Sequence, residues 1–241
     1  MSDFKPGLEG VVAVETEIAE PDREGGSLRY RGVDIEELVG HAPYENVWGL
    51  LVDDDLDSAM PDPEPYEPPA LTGNAPADLQ SETARLAGEW GLGKLNEISA
   101  EQARDDLGRL SGQMMAIVAR SARIADGHTD AVPDDDVAEG ESAAEKFLLR
   151  WRGEADPRHV KAIDTYWICT AEHGLNASTF TARVVASAGA DCAASLSAAV
   201  GALSGPLHGG APAYVIPMLD EVAAMGDAES YVRDLLARGG R

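Results

Sequence analysis

The stretch Ser204-Gly-Pro-Leu-His-Gly-Gly-Ala-Pro-Ala213 lies between two segments with helical patterns. The small residues of Asp191–Leu203 precede it, and Tyr214–Leu219 follows, with Pro212 near the first turn of the second helix. We expect Gly205 to end the first helix in the left-handed conformation, and the proline after it prevents the helix from continuing. The sequence therefore predicts a tight corner between two helices.

His208 lies in this corner beside Gly209 and Gly210. Two glycines let a ligand approach the backbone closely, so we interpret them as supporting residues of a site. The start of a helix disfavours imidazolium, so we expect His208 to stay neutral and to donate one N–H. A lone His-Gly-Gly also fits a simple helix corner with a surface histidine.

A second stretch favours the functional interpretation. Ala171-Glu-His-Gly-Leu-Asn-Ala-Ser-Thr-Phe-Thr-Ala-Arg-Val184, taken together with Gly205–Gly210, resembles citrate synthase and 2-methylcitrate synthase. Pro6-Gly-Leu-Glu-Gly-Val-Val12 and Leu28-Arg-Tyr-Arg-Gly-Val-Asp-Ile-Glu-Glu37 are similar to the opening of the same family. The variant Gly-Gly-Ala-Pro at 209–212 is most similar to the actinobacterial-type branch.

The resemblance implies a Claisen-type condensation of acetyl-CoA or propionyl-CoA with oxaloacetate. Such a reaction needs a carboxylate base, a neutral donor to the thioester carbonyl and groups that hold the keto acid. By resemblance His208 is the donor and His173 contacts the keto acid. We expect Asn176 and Ser178 to brace the turn through bonds to the backbone. Arg183 is more simply interpreted as half of a structural ion pair. No cofactor is implied, because acyl-CoA is a substrate.

The other histidines and the cysteines are weaker candidates. His41 and His128 lie in polar loop sequence, and His159 lies on the first turn of a helix, so we expect all three on the surface. No cluster of cysteines or carboxylates accompanies the histidines, and we expect no metal site. Cys169 and Cys192 are expected to be buried free thiols in a reducing cytoplasm.

The resemblance also predicts what the chain lacks. In the family, the equivalent of Asp227–Arg241 leads into a Gly-Phe-Gly-His-Arg segment and a smaller domain, which carries the catalytic aspartate, substrate-binding arginines and most of the CoA site. We therefore expect residues 1–241 to be the large-domain portion of a truncated or split enzyme, inactive alone, with a separate chain supplying the small domain. Two alternatives stay open: a non-catalytic dimerisation or regulatory protein, and an altered lyase or condensation activity that uses only the two histidines.

The charge of the chain limits its partners. Forty-three acidic residues against 19 basic ones give a net charge of −24, and only four residues are lysines. Such a surface repels nucleic acid and anionic membranes. No leader and no long apolar run are visible, so a cytoplasmic protein is expected. Adaptation to concentrated salt and ordinary mesophilic acidity both fit the composition.

The patterns predict a mainly α fold, a large helical domain like that of citrate synthase with one small N-terminal β-hairpin. The hairpin is expected at about 8–31 with its turn at Pro21–Gly26, and an exposed acidic, proline-rich connection at about 53–78. Helices are expected to start after the capping residues Ser99 and Asp156, among others.

A further expectation concerns assembly. Alanine, serine and glycine crowd residues 186–205, and small side chains allow helices to approach closely. We therefore predict a homodimer whose symmetric contact is formed largely by the helices at 176–188 and 191–203.

Overall fold

The computed structural model describes residues 10–22 and 25–239. It confirms a mainly helical fold with one small sheet. The helices are α1 (Ile35–Leu38), α2 (Tyr44–Asp53), α3 (Ala75–Glu89), α4 (Ala100–Ala125), α5 (Asp134–Ala138), α6 (Ala143–Arg152), α7 (Pro157–Thr170), α8 (Ala177–Ser187), α9 (Cys192–Leu203), α10 (Val215–Met225) and α11 (Ala228–Ala237). Among the described residues, no helix is both long and apolar enough to cross a membrane.

The sheet has three short antiparallel strands in the order β1 (Ala19–Pro21), β2 (Leu28–Tyr30) and β3 (Val33–Asp34). Residues 11–16, expected to belong to the first strand, have no regular structure. Residues 8–9 of the predicted hairpin and 23–24 of its turn lie outside the described residues. The third strand was not expected, and it makes the hairpin a small meander.

The helix starts predicted from the capping residues Ser99 and Asp156 are confirmed. The side chain of Ser99 accepts a hydrogen bond from Gln102 N at 3.1 Å, and Asp156 accepts one from Arg158 N at 2.8 Å. Both satisfy backbone N–H groups that have no partner inside the helix. The segment between α4 and α6 is not entirely loop, because the short helix α5 lies within it.

The segment 54–74, which we call the strap, has no helix or strand but is not simply exposed. It lies across α4, where a Cβ at Gly112 would be in collision with the carbonyl oxygen of Pro61. The glycine therefore makes room for the strap. Ion pairs also connect the strap to α4 and α6: Glu64 with Arg109, Glu67 with Arg120, and Asp62 with Lys146.

The apolar interior forms two clusters. One lies between the sheet, α1, α2 and α7 and contains the fully buried Tyr30 and Ile168. The other lies between α3, α4 and α9 and contains Leu86, Leu110 and Ile117. Each cluster borders one of the two histidine motifs. The first extends to the end of α7, which precedes His173, and the second lies along α9, which precedes His208.

Helix α9 is packed inside the chain. Its buried residues contact α3, α4 and α8, and the Ser197 hydroxyl donates to Gln80 O of α3 at 2.8 Å. The small residues of this helix thus serve contacts within one chain. The predicted dimer surface therefore has more exposed area on α8, which has no buried residue, than on α9.

The C-terminal helices are the most exposed part of the described chain. The main contacts of helix α10 are with α11 and with the short 3₁₀ helix Ala211–Tyr214 directly before it. Neither α10 nor α11 has a buried residue. Ile216 is 66% exposed and Leu219 is 51% exposed. Helix α10 thus exposes several large apolar side chains.

Candidate functional site

The turn that carries His173 joins α7 to α8. Gly174 has a φ of 95°, a conformation that favours glycine, and it allows the chain to reverse after α7. Asn176 then caps α8, because its Oδ1 accepts a hydrogen bond from Thr179 N at 2.8 Å. The helical path is therefore interrupted at this turn, and of the two candidate residues Asn176 and Ser178 it is Asn176 that caps α8.

A tyrosine from the N-terminal sheet forms hydrogen bonds with the backbone of this turn. The buried hydroxyl of Tyr30 donates to Ile168 O at 2.7 Å and accepts from Glu172 N at 3.4 Å. Burial, the largest cause, raises the pKa of Tyr30, so the hydroxyl keeps the proton that it donates. The Glu172 carboxylate in turn accepts from His173 N at 2.9 Å and from the Thr179 hydroxyl at 3.1 Å. The residues on either side of His173 are thereby fixed.

The turn that carries His208 differs from the sequence prediction at Gly205. Helix α9 ends at Leu203, and the next residue, Ser204, is right-handed. Gly205 does not have a positive φ, so the predicted left-handed cap is wrong. The helix instead tightens, with Gly205 N donating to Ala202 O at 3.3 Å. The Gly205 carbonyl then accepts from both His208 N and Gly210 N, at 3.0 and 3.1 Å.

Gly209 and Gly210 are needed because the turn folds back on the end of α9. A Cβ at Gly209 would lie 2.7 Å from Leu203 O, and one at Gly210 would lie 2.9 Å from Ser204 O. No side chain fits at either position without movement of the backbone. The sequence analysis interpreted these glycines as room for a ligand, whereas in the structure the group that approaches them is the chain itself.

A line of hydrogen bonds connects the two histidines. His208 Nε2 lies 2.9 Å from the Ser178 hydroxyl, which donates to Asn176 Oδ1 at 2.8 Å. Asn176 Nδ2 lies 3.2 Å from His173 Nε2. His173 is exposed and His208 is half-buried, so solvent reaches this line from one side. The two motifs, 35 positions apart in sequence, form one cluster.

The direction of each bond in this line follows from its neighbours. Thr179 N can only donate, so the Asn176 atom that it contacts is the oxygen, and Asn176 Nδ2 donates to His173 Nε2. The single Ser178 proton goes to Asn176, so His208 must donate from Nε2 to Ser178. Neutral His173 therefore has its proton on Nδ1, and neutral His208 has its proton on Nε2.

This arrangement revises two expectations. Ser178 was expected to bond to the backbone, but its hydroxyl contacts two side chains. His208 was expected to have a free N–H for a ligand, but in this conformation Ser178 receives it. Both differences arise because α9 brings His208 over the first turn of α8, a contact that the sequence did not reveal.

The remaining candidates lie apart from this cluster. His41, His128 and His159 are exposed, as expected. Arg183 is also exposed and forms no ion pair within the described part of the chain, so the ion pair predicted for it is wrong. No group of histidines, cysteines and carboxylates that could hold a metal occurs among the described residues.

The two cysteines differ in environment. Cys192 is buried at the start of α9, and its burial raises the pKa of the thiol to about 11. Cys169 is exposed, which corrects the expectation that both thiols are buried. The reason is helical periodicity, because α7 turns Ile168 into the core and the next residue outward.

Comparison with known proteins identifies the family. A family model described as "Citrate synthase, C-terminal domain" matches residues 7–68 and 69–241. The chain belongs to the citrate synthase family. "Putative citrate synthase 2" of Mycobacterium tuberculosis is 53% identical over 238 residues, which are 98% of this chain and 63% of that protein. The citrate synthase of Haloferax volcanii is 33% identical over 267 residues, covering 99% of this chain and 68% of the relative.

Solved structures share the fold. The citrate synthase of Thermotoga maritima superposes with a TM-score of 0.76 at 26% identity, over 99% of this chain and 66% of that one. A citrate synthase from Thermoplasma acidophilum, solved as a ternary complex with carboxymethyl coenzyme A and oxaloacetate, gives a TM-score of 0.83 at 24% identity, over 100% of this chain and 66% of that one. The chain thus spans about 63% of the mycobacterial relatives, and about two thirds of the solved chains.

Proposed function

We propose that this chain carries the histidine portion of an active site for the condensation of acetyl-CoA or propionyl-CoA with oxaloacetate. The observation that carries the proposal is the hydrogen-bonded line from His208 through Ser178 and Asn176 to His173. It joins both family motifs into one cluster that solvent can reach. Family membership supplies the reaction class.

In this proposal His173 contacts the keto acid. Its Nε2 accepts from Asn176, so the Nδ1–H is available to donate to an oxygen of oxaloacetate. The turn around His173 is fixed by Tyr30 and Glu172, so little ordering is needed when the substrate binds. A donor that is already in place contributes more to binding than one that must be ordered.

His208 donates to the thioester carbonyl and stabilises the enol that forms when the methyl proton leaves. In its neutral form His208 can donate from Nδ1 only when Nε2 is an acceptor. A rotation of the Ser178 hydroxyl from Asn176 toward His208 supplies this arrangement, since one hydroxyl proton serves either acceptor. We therefore assign to Ser178 the role of setting the tautomer of His208.

The base of the reaction is not assigned to a described residue. Glu172 is the carboxylate nearest in sequence to His173, but both of its oxygens accept hydrogen bonds within the turn. We propose that the base, the arginines for the keto acid and most of the CoA site come from the part of the relatives that this chain does not span. That part would belong to a small domain, in the same polypeptide or in a separate chain. Residues 1–241 by themselves are then inactive.

Two measurements test the function. Isothermal titration calorimetry with oxaloacetate should show weak binding that is lost in His173→Ala and kept in His159→Ala, whose histidine is exposed elsewhere. Release of free CoA thiol from acetyl-CoA and oxaloacetate should require addition of the remaining portion of a matching relative. Citrate formation by residues 1–241 alone, abolished in His208→Ala, would show that the base lies within this chain.

A second candidate function is a non-catalytic dimerisation or regulatory protein. It is favoured by the exposed apolar side chains of α10, together with Val184 on α8, which is 51% exposed. In both candidates we propose a homodimer through these surfaces, and a cytoplasmic location. Light scattering after size-exclusion chromatography in about molar salt should give a dimer, which Leu219→Glu disrupts and Val12→Glu, at an 85% exposed N-terminal position, does not. A monomer at all protein concentrations would contradict the dimer.

A further inference from the structure

A cavity lies between the strap, α4 and α6, away from the elements that carry His173 and His208. Its volume is about 180 Å³. Met60, Met115 and Phe147 form apolar walls, and Glu45 and Arg150 are charged groups in its lining. Pockets for drug-sized ligands measure about 300–1,000 Å³, so this one suits a smaller molecule.

Arg150 is a buried cation with unused hydrogen-bonding capacity. Its residue is 9% exposed, and its one hydrogen bond within the described residues runs from Nη2 to Asp134 Oδ1 at 3.2 Å. A guanidinium has five N–H donors in a fixed fork that matches a carboxylate. Burial, the largest cause, lowers the pKa of Arg150, so a second anionic partner would offset the loss of water around it.

Glu45 is the complementary group. Its Oε1 accepts from Ala143 N, the first residue of α6, at 3.3 Å. Its Oε2 is buried and has no hydrogen-bond partner among the described residues. An unsatisfied buried carboxylate oxygen is rare and costly, and a cationic donor satisfies it best.

The other charges of the lining balance each other. Lys146 contacts both oxygens of Asp62, at 2.8 and 2.7 Å, and is therefore already neutralised. What remains are the unused N–H donors of Arg150, whose charge is paired with Asp134, one buried oxygen of Glu45 and apolar walls. We propose that this cavity binds a small zwitterion, an α-amino acid with an apolar side chain. Its carboxylate pairs with Arg150, its ammonium group with Glu45, and its side chain lies against Met115 and Phe147.

Three matched probes test the charge requirement. L-leucine has both charged groups, isocaproate lacks the ammonium group, and isoamylamine lacks the carboxylate. Calorimetry on residues 1–241 should show saturable binding of leucine in the millimolar range or tighter, with each of the other two at least about tenfold weaker, which corresponds to about 1.4 kcal/mol. Equal binding of leucine and isocaproate would overturn the role of Glu45, and equal binding of leucine and isoamylamine that of Arg150.

Methionine methyl groups report the location without any mutation. In protein labelled with ¹³C at the methionine methyls, leucine should shift the signals of Met60 and Met115 and leave Met218 and Met225 of α10 unchanged. Glu45→Gln should weaken leucine binding about tenfold or more, whereas Glu67→Gln, the same change on an exposed strap residue, should not. No methyl shift up to tens of millimolar leucine, or a shift confined to α10, would overturn the proposal.

Discussion

The two histidine turns are held in different ways. The His173 turn depends on residues far away in sequence, since Tyr30 and Ile168 are 138 positions apart. The His208 turn is built mostly from its own backbone, with bonds that converge on Gly205 O, and from two glycines packed on α9. One turn should therefore respond to changes in the distant sheet, while the other should respond to changes in its own residues.

Salt is expected to have the largest effect, and it acts on both turns alike. With a net charge of −24, repulsion within the chain destabilises the folded state at low ionic strength. The thermal midpoint should rise between about 0.05 M and 2 M KCl, because added salt screens this repulsion. A midpoint that is flat in KCl would show that the acidity is not a salt adaptation. Variants should therefore be compared at one fixed salt concentration.

Tyr30→Phe should have the next largest effect and should act on the His173 turn. The change leaves the buried Ile168 carbonyl without its donor, at a cost of about 1–3 kcal/mol in the free energy of unfolding. Tyr231→Phe, which removes a hydrogen bond from an exposed hydroxyl to Glu221, is the control. It should change the free energy of unfolding by no more than about 0.5 kcal/mol. Urea denaturation measures both, and an equal loss in the two variants would mean that the sheet does not anchor the turn.

Asn176 connects the two turns, and two substitutions separate its roles. Asn176→Ala removes the cap of α8 and should cost about 1 kcal/mol. Asn176→Asp keeps an oxygen for the cap but loses the donor to His173. It should retain most of the stability and still weaken oxaloacetate binding. If the Asp variant binds oxaloacetate as well as the unchanged chain does, the contact with His173 has no role in binding.

Substitution of Asp191, at the start of the helix that leads to His208, should have a smaller and pH-dependent effect on stability. It caps α9, and although burial opposes the shift, hydrogen bonds from Lys94 and Ala194 N and the charge of Lys94 together lower the pKa of its carboxyl. A lowered folded-state pKa means that the stability it contributes is present above the unfolded value of about 3.9 and is lost as the pH falls through the folded value. Asp191→Asn should therefore be less stable than the unchanged chain at pH 6, and the two should converge in acid. A difference that persists in acid would contradict this sign.

Local chemistry could be predicted from the sequence, and contacts between distant segments could not. The caps at Ser99 and Asp156 depend on a few neighbouring residues, and both are confirmed. The packing of the strap on Gly112 depends on distant segments of the chain and was not predicted. The role of Tyr30 depends on the same kind of contact.

The candidate site shows the same division. Both histidines and the two glycines beside His208 were visible in the motifs. The contact between Ser178 and His208 was not, because it depends on how α9 packs over α8. The prediction for Gly205 was wrong for a related reason. A glycine followed by proline identifies a turn but does not distinguish a left-handed cap from a tightened last turn of the helix.

The central claim is that Asn176 and Ser178 join the two histidines and set their proton positions. Long-range ¹H–¹⁵N correlation spectra of the imidazoles test it directly at about pH 8.5, well above the ordinary histidine pKa of about 6.5. We expect His173 to have its proton on Nδ1 and His208 on Nε2, and Ser178→Ala to change the tautomer ratio of His208 but not that of His173. A His173 ring protonated on Nε2, or a His208 ring that does not respond to Ser178→Ala, would contradict the account.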